Sequence, residues 1–85
     1  MQLTKAAALD EAPRGIRVNC VCPCFVETPL VARWVAGQPD PAAAHAEAVA
    51  AQPIGRMGRP HEVAAAIAWL GSDEARFVTG HALQV

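Results

Sequence analysis

Between Leu3 and Ala12, leucine and alanine are interspersed with charged residues, and these strong helix formers predict a helix over 3–12. It should stop at Pro13 and Gly15. No capping residue or turn precedes it, so Met1 is expected inside or at the edge of that helix. From Ile16 to Cys22 the period falls to two. Ile16, Val18, Cys20 and Cys22 share one face of a predicted strand, and Arg17, Asn19 and Val21 share the other. Pro23 ends it. Thr28 followed by Pro29 is a helix-start signal, the hydroxyl capping free N–H groups and proline fitting the first helical position. A short apolar helix, Leu30–Ala36, follows and ends at Gly37. Asp40-Pro41 repeats the signal for an alanine-rich helix running to about Ala51. Pro53–Pro60 reads as a turn-rich connector. The next helix, from His61 to Gly71, carries Val63, Ile67 and Leu70 on one face, with Ala64 and Ala66 near it. Ser72 starts a short turn, Thr79-Gly80 a tight bend, and His81–Val85 a last short strand.

Two strands joined through helices are expected to pair in parallel by a right-handed crossover. Parallel sheets are covered on both faces. Two strands and these helices cannot supply that cover, so the chain reads as one edge of a larger α/β sheet. Residues 1–85 amount to at most one domain with a marginal core, since a chain of this size buries only roughly 60–65% of its unfolded surface. The free chain is accordingly expected to self-associate or to need a partner.

Charge removes several functions from consideration. Seven basic and eight acidic residues leave a net charge of −1, Lys5 is the only lysine, and the arginines are scattered, so no nucleic-acid surface is expected. The uncharged runs are alanine-rich or contain proline, and Lys5 and Asp10 interrupt the N-terminal apolar residues. Neither a membrane span nor a signal peptide is expected, and the cytoplasm is the default location.

Cys20, Cys22 and Cys24 have gaps of one residue, unlike the spacing of zinc ligands, and His45, His61 and His81 offer no matching pair. No metal site is expected. The cysteines read as buried small apolar thiols, with Cys24 alone, in the loop, placed to be exposed. Arg56 and Arg59 read as structural, His61 and Glu62 as a solvated helix start, and Trp34 and Trp69 as packing residues.

In open α/β sheets ligands bind beyond the carboxyl ends of the strands. Here that place is Pro23–Pro29, which offers backbone donors and acceptors, the Thr28 hydroxyl and a helix start. On these residues alone, Thr28 is either a ligand contact or merely the cap of its helix.

Read together, "LDEAPRGIRVN" (Leu9–Asn19), "PCFVETPL" (Pro23–Leu30), "GRMGRPHEVA" (Gly55–Ala64) and "SDEARFVTG" (Ser72–Gly80) resemble the C-terminal third of the short-chain dehydrogenase/reductase family, in order and with matching gaps. The resemblance implies the C-terminal part of a Rossmann-type, doubly wound parallel sheet, an NAD or NADP cofactor, and hydride transfer between a small alcohol and a carbonyl. It implies that the loop Pro23, Cys24, Val26 and Thr28 binds the cofactor. Backbone atoms of Val26 would meet the nicotinamide carboxamide, and the Thr28 hydroxyl the carboxamide or a phosphate. Leu30 to about Ala51 resembles the mobile lid over the substrate, Asn19 a structural asparagine, and Pro60–Gly71 with His81–Val85 the surfaces of a homo-oligomer. The family has glycine where Cys24 stands. Its glycine-rich loop and its serine and Tyr-x-x-x-Lys catalytic group have no match in this chain, which contains no tyrosine. The helix at 3–12 resembles the far end of the helix carrying that pair. No residue here is therefore assigned as catalytic, and the chain is expected to be inactive alone, as a fragment of an oxidoreductase. The alternative is a non-catalytic subunit-interaction remnant of the same family.

Overall fold

The computed structural model describes residues 2–85. Its elements are α1 (Gln2–Glu11), a 3-10 turn (Ala12–Arg14), β1 (Cys20–Cys22), α2 (Pro29–Ala36), α3 (Pro41–Ala50), α4 (Pro60–Leu70), a second 3-10 turn (Asp73–Ala75) and β2 (Ala82–Gln84). The chain forms two compact units, residues 1–23 with 63–85 and residues 24–62. The boundary falls within the sequence of α4.

In the first unit, β1 and β2 pair in parallel, Cys20 opposite Ala82, Val21 opposite Leu83 and Cys22 opposite Gln84. The fold class is thus α/β with a two-stranded parallel sheet, as the sequence predicts. The strands are shorter than predicted. Ile16–Asn19 lie outside β1, and His81 and Val85 flank β2, each contributing one backbone bond: Cys20 N–H donates to the His81 carbonyl at 2.9 Å and Val85 N–H to the Cys22 carbonyl at 3.2 Å. The physical reason is the bend at Thr79-Gly80: the Val18 N–H donates to the Thr79 hydroxyl at 3.1 Å, and Gly80 N–H donates to the Val18 carbonyl at 2.7 Å. A turn thereby takes the groups that a longer β2 would have used. Gly80 holds φ at 69°, a left-handed conformation that glycine reaches without a steric penalty.

Two polar side chains tie the segment after α4 to the strand. Arg17 donates to three carbonyls, Leu70 at 2.8 Å, Val78 at 3.1 Å and Ser72 at 3.1 Å. Asn19 donates to the Val78 carbonyl at 3.0 Å and accepts from the His81 N–H at 3.0 Å, which bears out its structural reading.

Ala8, Leu70 and Ala75 are the buried apolar residues of this unit. Of the predicted inward face of α4, Leu70 is buried and Val63 half-buried, but Ile67 is 55% exposed. Two strands of three residues are too small to cover the length of the helix, and Ile67 instead borders an open groove of about 580 Å³ shared with Arg17, Asn19 and Val21. Cys20 and Cys22 are likewise half-buried rather than buried, on a sheet of two three-residue strands that is too small to enclose them. Their sulfurs are 4.0 Å apart, and burial and the neighbouring Cys20 raise the Cys22 thiol above its ordinary pKa.

The second unit holds the segment Cys24–Thr28, α2, α3 and the connector. Thr28 and Asp40 cap their helices as predicted: the Thr28 hydroxyl accepts from Val31 N–H and the Asp40 carboxylate from Ala43 N–H, both at 3.2 Å. Pro29 and Pro41 open the two helices. Ala48 and Met57 are its buried residues.

Candidate functional site

The segment that follows β1 is held by an unforeseen backbone pairing. Val26 and Gly58 form an isolated parallel bridge. Gly58 N–H donates to the Phe25 carbonyl at 2.9 Å, and Glu27 N–H donates to the Gly58 carbonyl at 2.8 Å. In such a pairing the residue between the two bonded groups turns its own N–H and C=O the other way. Those two groups of Val26 have no hydrogen-bond partner among the described residues. A donor and an acceptor on one residue, free and held on a fixed backbone, match a planar carboxamide, which presents the complementary acceptor and donor.

Thr28 stands two residues on. Its oxygen takes the Val31 N–H, while its own hydroxyl hydrogen remains available to a ligand. Cys24, the one cysteine that its loop position left open to exposure, is exposed, and its sulfur accepts from the Gln52 side-chain N–H at 3.2 Å. Among the described residues no non-glycine residue has positive φ, so the backbone at Cys24 does not require the glycine of the family. Pro23, also exposed, directly follows β1 in the chain and belongs to the first unit, whereas Cys24, Val26 and Thr28 belong to the second.

The connector anchors this segment through Gly58, and the start of α4 anchors the connector. Arg56 grips Glu62 with both guanidinium nitrogens, at 2.7 and 2.8 Å, and Arg59 N–H donates to the same carboxylate at 2.9 Å. The Arg56 side chain first, then the Arg59 N–H, lower the Glu62 pKa to about 2, and Glu62 in turn raises that of Arg56. Arg56 is structural, as read from the sequence. Glu62 is not merely solvated: it closes half a capping box at the third helical position, a role that Pro60 followed by Glu62 could have signalled.

Beside Thr28 lies a cavity of about 560 Å³ between α2 and α3, walled mainly by apolar side chains. Phe25 and Trp34 pack with ring centroids 5.9 Å apart at 34°, the packing role expected of Trp34. Among the described residues, no three His, Cys, Asp or Glu side chains gather as a metal site. None of the described helices is long and apolar enough to cross a membrane.

A parallel strand pair joined through helices, with a loop at the carboxyl end of β1, is a piece of an α/β fold of Rossmann type. The family model described as enoyl-(acyl carrier protein) reductase matches residues 1–85. L-fucose dehydrogenase of Bos taurus is 53% identical over 83 residues, covering 98% of this chain and 30% of that protein. Cyclohexanol dehydrogenase of an Acinetobacter species is 50% identical over 78 residues, covering 92% and 28%. The ligand-free structure of Thermoplasma acidophilum aldohexose dehydrogenase superposes with a TM-score of 0.86 at 42% identity, covering 99% of this chain and 34% of that one. The chain belongs to the short-chain dehydrogenase/reductase family. It spans about a third or less of the length of these relatives.

Proposed function

We propose that residues 1–85 are the part of a single Rossmann-type domain that receives the nicotinamide end of NAD or NADP, through Pro23, Cys24, Val26 and Thr28. The free N–H and C=O of Val26 carry this reading. Val26 would hold the carboxamide from both sides of its amide group, and the Thr28 hydroxyl would donate to the carboxamide or a phosphate oxygen. When bound, the nicotinamide supplies a hydride acceptor or donor for the interconversion of an alcohol and a carbonyl. The residues here bind and orient it. Proton transfer to the substrate oxygen needs a group of suitable pKa, for which the family uses a tyrosine that this chain does not contain. The 85-residue chain is therefore proposed to bind without turnover, in a cytoplasmic setting.

Val26→Pro tests the site. Proline removes the free N–H, while the bonds to Gly58 use Phe25 and Glu27 and persist. NADH affinity of the chain is expected to fall by about tenfold or less, the worth of one hydrogen bond, with Val26→Ala unchanged. Equal affinity of Val26→Pro and the parent would remove the reading.

Assembly through Pro60–Gly71 and His81–Val85 is proposed alongside. Ile67, Trp69 and Val85 are 55%, 43% and 45% exposed, more apolar surface than these short elements need to leave in water. Sizing chromatography is expected to show species larger than a monomer, and Ile67→Lys to shift them towards it. A sharp monomer peak for the parent would end this proposal.

A further inference from the structure

We propose that Cys20 and Cys22 form a two-thiolate binding site for a soft monovalent cation, Cu(I), on one face of the parallel strand pair. The site is independent of the cofactor reading, since both cysteines belong to the first unit and Val26 and Thr28 to the second.

The two side chains share a face of β1, and their sulfurs stand 4.0 Å apart. Among the described residues each sulfur has the other as its only hydrogen-bond partner. The backbone beneath them is fixed by the ladder, with Cys20 opposite Ala82 and Cys22 opposite Gln84. The pair is therefore set before any ion arrives, which removes an ordering cost from binding. Both cysteines are half-buried, so the sulfurs are open to an ion from solution.

Geometry decides what the pair can hold. A disulfide needs its Cβ atoms about 3.5–4.5 Å apart. Alternate residues of a strand stand about 6.6 Å apart with their Cα–Cβ bonds side by side, so the strand opposes a direct bond between the sulfurs. A bridging ion meets no such obstacle. A zinc–thiolate bond is about 2.3 Å long and Cu(I) has a similar reach, so one ion spans sulfurs up to about 4.6 Å apart. The separation of 4.0 Å lies inside that span. Zinc itself wants four ligands, and among the described residues no three His, Cys, Asp or Glu side chains gather. Calcium and magnesium want oxygen. Cu(I) prefers soft sulfur and is satisfied by two thiolates, so the spacing argument that removes zinc does not reach it. Two thiols release two protons as two copper–sulfur bonds form, and the copper keeps its oxidation state.

The test is an anaerobic titration of the reduced 85-residue chain with Cu(I), against bicinchoninate as a coloured competing chelator and with ascorbate present. The chain is expected to take about one ion and to show thiolate-to-copper charge-transfer absorption, as is Cys24→Ser. Cys20→Ala and Cys22→Ala are each expected to weaken uptake by about tenfold or more, because the second thiolate closes on an ion that the first already holds. A measurement on the parent alone stands apart from any folding defect in the variants. Cu(I) is expected to slow alkylation of Cys20 and Cys22 by iodoacetamide, read by peptide mass, and to leave the rate at Cys24 unchanged. Copper that stays with the chelator, uptake lost in Cys24→Ser, protection confined to Cys24, or Zn(II) held as firmly as Cu(I) would overturn the proposal.

Discussion

Arg17→Met is expected to unfold the first unit. Methionine keeps the apolar length of the side chain and removes its fork of donors, leaving the carbonyls of Leu70, Ser72 and Val78 without their common partner. A hydrogen bond to a charged group contributes about 1.5–3 kcal/mol, and three that share one guanidinium do not add fully, so a loss of about 3–5 kcal/mol is expected. A chain of this length has about 4–13 kcal/mol in all. The parallel pairing depends on the same segment, because Val78 leads into the bend that delivers β2 to β1. Amide exchange at Cys20–Cys22 and Leu83 is the measurement. Protection in Arg17→Met equal to the parent would show that the backbone turns suffice alone. Arg17→Lys is expected to recover little, since an ammonium lacks the planar fork that spans separate carbonyls.

Acid is expected to release the connector in the second unit, through one carboxylate. The folded pKa of Glu62 lies at about 2, below its ordinary value of 4.5. A depressed pKa means that the contribution of Glu62 is complete above about 4.5, declines as pH falls from there, and is gone once pH drops through about 2. Protonation would take away the bidentate acceptor of Arg56 and the acceptor of Arg59 N–H together. The Glu62 carboxyl resonance is expected to titrate near 2, and the thermal midpoint of the parent to fall relative to Glu62→Gln between pH 4.5 and 2. Because the pair is partly exposed, added salt should shrink that difference. A carboxyl titrating near its ordinary value would show that the clamp does not persist in solution.

The helices were legible because each leaves a local mark. Thr28-Pro29 and Asp40-Pro41 place a side-chain acceptor and a pre-set φ where the first turn needs them, and the caps form as read. The parallel pairing was legible from the order of elements. Strand length was not, since alternation continues through Ile16–Asn19 while the partner chain is bending at Thr79-Gly80, 60 residues away along the chain from Asn19 to Thr79. The burial of Cys20 and Cys22 was misread for a related reason: alternation reports which side chains share a face, and not whether anything lies over it. The segment Cys24–Thr28 could be named from its resemblance to a family. What holds its shape could not, because the pairing of Val26 with Gly58 joins two irregular stretches through backbone groups alone, and backbone groups write nothing in a sequence.

That same pairing has a consequence for engineering. Gly58 grips the carbonyl of Phe25 and the N–H of Glu27, and both atoms are present whatever side chains stand at 26 and 27. Nor does the space beside Gly58 demand glycine, since an added Cβ would meet only ordinary contacts, 3.7 Å to the Phe25 carbonyl and 3.9 Å to Val26. A library randomised at 26 and 27, proline apart, should therefore keep the shape of the segment while changing what it displays. The segment is a backbone frame whose side chains can be exchanged at little risk to the pairing that holds it.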